Sequence, residues 1–141
     1  MSEQISEQEA YDELSLYTLS HGDSAFIHQH IVDAYAAQHA DDNIKPIKTT
    51  FALIGLYLTL EKGFTGKQVQ FAHMQLAKTK KEWPHFKQPQ EKSELNVYDV
   101  LRAPPGLERD SMILKWCRSV WKTWGETHRQ IADVVSVQLG I

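Results

Sequence analysis

FIHQHIVDAYAAQH, residues 26–39, decides how the rest of the chain is read. At about 100° per residue, Ser24, Ile31, Val32, Tyr35, Gln38 and His39 fall on or near the helical face of His28. Phe26, His30, Asp33 and Ala37 point roughly the other way. A face carrying Ile31 and Val32 is expected to turn toward a core, yet it also carries two imidazoles, a phenol and an amide. Burying such groups unpaired costs about 1–3 kcal/mol each. The pattern predicts a polar site inside a helical protein. Asp33 and His30, off that face, are expected to bond one another or face solvent.

Working outward, residues 5–19 read as a first helix with a modest apolar face of Ala10, Leu14, Tyr17 and Leu19. The stretch 21–24 breaks it and offers Asp23 as the N-cap of the second. Pro46 suits the first position of a third helix over 46–62, which is apolar nearly all round and therefore expected at the centre. Gly63 ends it. Thr65 and Gln68 then form a capping box opening a fourth helix that is expected to run to about Lys81. Residues 80–109 are the least regular, with Pro84 and Pro89 as breakers and a short helix near 97–102 behind Asn96. A final helix over 108–139 carries Asp110, Ile113, Leu114, Cys117, Trp121, Trp124, His128, Ile131 and Val135 along one stripe. The fold expected is all-α, an up-and-down helical bundle of about five main helices with a long C-terminal helix, forming one domain over residues 1–141.

Composition limits the function classes. The chain has 141 residues and a formal charge of −3, too small and too mixed for a nucleic-acid or acidic-membrane surface. The apolar run 51–60 is about half a membrane span, and the acidic N-terminus has no apolar signal core. Cys117 is the only cysteine, so no intrachain disulfide forms and a reducing cytoplasm fits. The aromatic surplus and the all-round apolar third helix add the expectation of a homodimer.

Seven histidines are many for this length. His28, His73 and His128 lie mid-stripe on three different helices. His28 and His39 are separated by about 16 Å along their helix and cannot share an ion. Short turns make helices two, three and four antiparallel neighbours, which places His28 and His73 at matching depth. If the last helix runs down, His128 joins them. Three imidazoles with water in the fourth position suit a divalent metal such as zinc, nickel, iron or manganese. If it runs the other way, His128 approaches His39. The competing reading makes each histidine a core residue bonded to a carbonyl, to Tyr35, to Tyr57 or to Asp110. No HxxxH or HExxH spacing is present. There is no Gly-rich phosphate loop and no Ser-His-Asp arrangement, and no catalytic residue is assigned.

The element His28-x4-Asp33-x-Tyr35-x2-Gln38-His39 resembles the opening motif of a family of small, uncharacterised bacterial helical proteins. The Val97-x-Asp99-Val100 element and the stretch WCRSVWKTW from Trp116, followed by His128, resemble its later blocks. That resemblance covers roughly residues 26–130 and implies no activity. The chain is more loosely similar to the DinB/YfiT-like bundles, a similarity that implies a divalent metal held by histidines among four helices. Two functions are therefore expected in parallel. One is a metal-dependent hydrolase or transferase with His28, His73 and His128 as ligands, and with Tyr35, Gln38, His39 and Asp110 supporting them or forming a polar network. The other is a non-catalytic binding or assembly protein whose buried histidines and tyrosines form a structural network.

Overall fold

A computed structural model describes residues 4–78 and 82–141. Residues 1–3 of the N-terminal reading and the expected end of helix four at Lys81 lie outside the described residues. Among those described, the structure is all-helical, with no strand: α1 Glu7–Leu19, α2 His28–Gln38, α3 Pro46–Glu61, α4 Gly66–Ala77, α5 Val97–Arg102, α6 Leu107–Thr123 and α7 His128–Leu139. No described helix is long and apolar enough to cross a membrane.

The caps follow local chemistry. Thr65 Oγ1 accepts from Gln68 N at 3.2 Å while Gln68 Oε1 accepts from Thr65 N at 2.8 Å, the capping box expected of this pair. Asn96 and Asp99 repeat the device for α5. Pro46 opens α3, and Gly63 follows its end at φ 69°, the left-handed turn that lets a helix stop. As its composition requires, α3 is central. It packs against α2, α4, α6 and α7 and buries Thr49, Thr50, Ala52, Leu53, Ile54, Gly55, Leu56 and Leu58.

Three expectations need correction. Ile31 is buried as expected, but the rest of the buried face of α2 lies on the other side: His30, Asp33, Ala34 and Ala37 are buried, while Val32 and Tyr35 are half-buried and His39 exposed. Ala34 and Ala37 explain the reversal, because their small side chains let α2 approach its neighbours closely. The helix also begins at His28, because Phe26 adopts φ 54° and ends the preceding turn there. Asp23 contributes differently from an adjoining N-cap, its Oδ2 accepting from Ile27 N at 3.0 Å.

The long C-terminal helix is broken, so the described chain has seven α-helices and not five main ones plus a short one. Trp124 leaves helical geometry at φ −94°, ψ 23°, and a single 3-10 turn spans Gly125–Thr127. Glycine is the weakest ordinary helix former, and a tertiary contact completes the break. The carbonyl of Trp121 would accept from residue 125 in a continuous helix. Here it accepts from Trp124 N at 3.0 Å and lies 2.7 Å from His128 Nε2.

Candidate functional site

The residues expected to gather do not share one site. His28 Nδ1 lies 2.9 Å from Thr18 Oγ1. His73 Nε2–H donates to the Phe51 carbonyl at 2.8 Å, and its ring stacks on that of Phe51. His128 Nε2–H donates to the Trp121 carbonyl, and its ring lies nearly parallel to the Trp121 indole, 3.8 Å between centroids. Two of the three histidines thus have the carbonyl partner of the competing reading. Among the described residues, no group of three or more His, Cys, Asp or Glu side chains is arranged to hold a metal ion.

The supporting residues divide into three networks. Tyr35 stacks against Tyr11 on one side and lies against His39 on the other, 4.1 Å in each case, while His39 Nε2 contacts Glu7 at 2.6 Å. Gln38 accepts from Trp116 Nε1 at 3.0 Å and donates to Ser93 and to the Leu95 carbonyl, tying α2 to α6 and to the loop before α5. Asp110 accepts from Tyr17 at 2.8 Å and lies 3.1 Å from His21 Nε2. Each network joins helix ends, and together they fasten α1, α2 and α6.

A different constellation stands between α2 and α3. Asp33, 3 % exposed, extends toward Gly55 of α3, where an added Cβ would lie 2.0 Å from its Oδ2. Its Oδ1 accepts from Gln29 Nε2 at 3.2 Å, whereas Oδ2 is buried with no hydrogen-bond partner. Burial pushes the Asp33 carboxyl well above its usual range, against a smaller opposing effect of the Gln29 amide. Asp33 lines a groove of about 620 Å³ together with Gln29 and His73. Val32, Ile44, Ile47 and Phe51 supply much of the apolar wall, and Lys45 and Lys48 also line it. The Nε2–H donation by His73 leaves its Nδ1 an acceptor when the ring is neutral, the form burial favours by lowering the pKa.

Sequence reasoning gave His73 to a metal site with His28 and His128, and placed Asp33 beside His30 or in solvent; both residues line this groove. A signal was present in Gly55, the only glycine inside an apolar helix and so a mark of close approach by another chain element. What approaches it is a carboxyl group.

Two further buried groups adjoin α2. Cys117 is fully buried, its thiol pushed up by burial, and its Sγ donates weakly to the His30 carbonyl at 3.6 Å, so it is no nucleophile at neutral pH. His30 lies 3.2 Å from Thr59 Oγ1, and burial lowers its pKa from 6.5 to about 4. The unfolded chain therefore takes up a proton at this site while the native protein refuses it. The stability contributed by neutral His30 is complete above pH 6.5 and is lost as pH falls through about 4. We expect a loss of roughly 2–3 kcal/mol over that interval. Urea titrations at stepped pH should show it, and His30→Gln should flatten the slope; an unchanged slope in that variant would place the acid sensitivity elsewhere.

Among the described residues, fold and site together define an all-helical protein with an amphiphilic groove whose lining includes a buried aspartate. The chain belongs to the family of unknown function DUF5946, whose match spans residues 7–125 and so ends at the break between α6 and α7. Comparison with curated proteins and with solved structures gave no match.

Proposed function

We propose that this protein binds a small, mainly apolar molecule in the groove between α2 and α3, through a hydrogen-bond donor, an amine first among them, presented to Asp33 Oδ2. The observation that carries this reading is Asp33 itself, a residue of the groove wall whose buried Oδ2 has no hydrogen-bond partner. Leaving such an atom unsatisfied costs about 1–3 kcal/mol, which a donor on the ligand recovers. An ammonium group gives the stronger, charge-assisted bond. Lys45 and Lys48 are exposed, so solvent screens their repulsion of a cation at the floor. The groove lies within the roughly 300–1,000 Å³ range of small-molecule sites. The reading is one of binding, and the networks of Tyr35, Gln38 and Asp110 serve as scaffold. No gathered ligand set among the described residues supports the metal-dependent alternative.

Thermal unfolding with hexylamine, hexanol and hexanoate tests the assignment. Hexylamine should raise Tm most, by several degrees when its concentration reaches about one hundred times Kd. Asp33→Asn keeps the shape but cannot give up a proton to an amine and become its anionic partner, and should weaken amine binding about tenfold or more. Equal amine affinity in that variant, or no response to any of the three compounds, would reject the proposal. The same substitution has a stability signature. Native Asp33 holds its proton to higher pH than the unfolded chain, whose carboxyl titrates near 3.8, so its contribution is complete below that pH and declines as pH rises through the native pKa. Asp33→Asn should remove this decline.

A further inference from the structure

A second cleft, of about 550 Å³, lies between the C-terminal end of α2, the segment 88–93 and the end of α6. Its wall includes Trp124, only 2 % exposed, whose Nε1–H has no hydrogen-bond partner among the described residues. Gln88 lines the same cleft, and its buried Oε1 is likewise unpartnered. The other two buried indoles are paired: Trp116 with Gln38, and Trp121 with Glu61 at 3.4 Å. Trp124 is thus the exception, and it stands where α6 breaks into the 3-10 turn. Gln88 and Trp124 also line an adjoining recess of about 260 Å³.

We propose that this cleft binds a peptide segment carrying a lysine or arginine, one peptide group of which accepts from Trp124 Nε1–H and donates to Gln88 Oε1. A peptide group carries a carbonyl and an N–H in one planar unit, the two partners that Trp124 Nε1–H and Gln88 Oε1 lack. The charge at the cleft selects the side chain. Asp41, Asp42, Glu7 and Glu91 line it, and Lys92 is the one lysine or arginine among its lining residues. Glu7 is engaged by His39 and Asp41 Oδ1 accepts from Asn43 N at 2.8 Å, which leaves Asp42 and Glu91 foremost for an incoming cation. The inference is independent of the Asp33 groove, which shares no lining residue with this cleft.

Indole ¹H–¹⁵N spectra of the full chain provide the test, with the Trp124 signal assigned by its loss in Trp124→Phe. Titration with acetyl-Gly-Lys-Gly-amide should move the Trp124 signal saturably by about 10 mM, the weak affinity expected of a fragment making few contacts. The signals of Trp116 and Trp121 should stay in place. Gln88→Leu should weaken binding about tenfold, the equivalent of one hydrogen bond, and Asp42→Asn with Glu91→Gln several-fold. A Trp124 signal that does not move in the folded protein overturns the proposal. Equal movement with acetyl-Gly-Glu-Gly-amide overturns it too, since the carboxylates would then select nothing.

Discussion

Gly55→Ala is expected to destabilise the protein by about 2–4 kcal/mol, although alanine is the better helix former by about 1 kcal/mol. The new methyl carbon would lie 2.0 Å from Asp33 Oδ2 and 2.4 Å from its Cγ. Asp33 is short, buried and carried on a helix packed against α3, so it cannot swing clear without moving α2. The origin of the loss can be checked by a double-mutant cycle. Asp33→Ala alone removes an unsatisfied oxygen and should cost little. Combined with Gly55→Ala it should restore most of the lost stability, with a coupling energy of at least about 1.5 kcal/mol in urea unfolding. Strict additivity would show that the clash is relieved elsewhere. Because the clash displaces the groove's acceptor, Gly55→Ala should also abolish the response to hexylamine.

Gly66→Ala should be costlier, at about 3 kcal/mol or more, because the obstruction is main chain. A Cβ at Gly66 would stand 1.9 Å from the Phe26 carbonyl oxygen and 2.8 Å from its carbon. That carbonyl is held from several directions. It accepts from Gln29 N at 3.2 Å, and the preceding carbonyl of Ala25 accepts from Lys67 N at 2.8 Å. Phe26 already occupies the left-handed region, at a cost of about 1–2 kcal/mol. Yielding to the methyl would break the Ala25–Lys67 bond and uncouple the start of α2 from that of α4. Gly125→Ala is the matched control, since an added Cβ there meets nothing within 4 Å. It should be neutral or stabilising by up to about 1 kcal/mol. Equal losses at positions 66 and 125 in thermal unfolding would refute the steric account.

Helix punctuation was legible because it is written in neighbouring residues. The pairs Thr65–Gln68 and Asn96–Asp99 satisfy their own orphan donors, and Pro46 needs no partner at its position. The central place of α3 was legible for a similar reason, since a helix apolar on all sides can only be enclosed. The break at Trp124 was less so, because continuous periodicity over 108–139 conceals a carbonyl that turns to a side chain seven residues later.

The sequence by itself determined an all-α chain, the openings of α3, α4 and α5, a buried α3 and a surplus of histidines needing partners. Only the tertiary structure decided which face of α2 is inside, and with it the candidate site. Helical periodicity ranks faces by hydrophobicity, and the Ile31–Val32 face outranks one holding His30, Asp33, Ala34 and Ala37. Close packing ranks them by fit. Two alanines let α2 approach its neighbours, and a glycine opposite leaves room for the carboxyl between them. The histidines were decided in the same way: His73 and His128 stand next to carbonyls contributed by Phe51 and Trp121, residues whose nearness depends on how the helices pack.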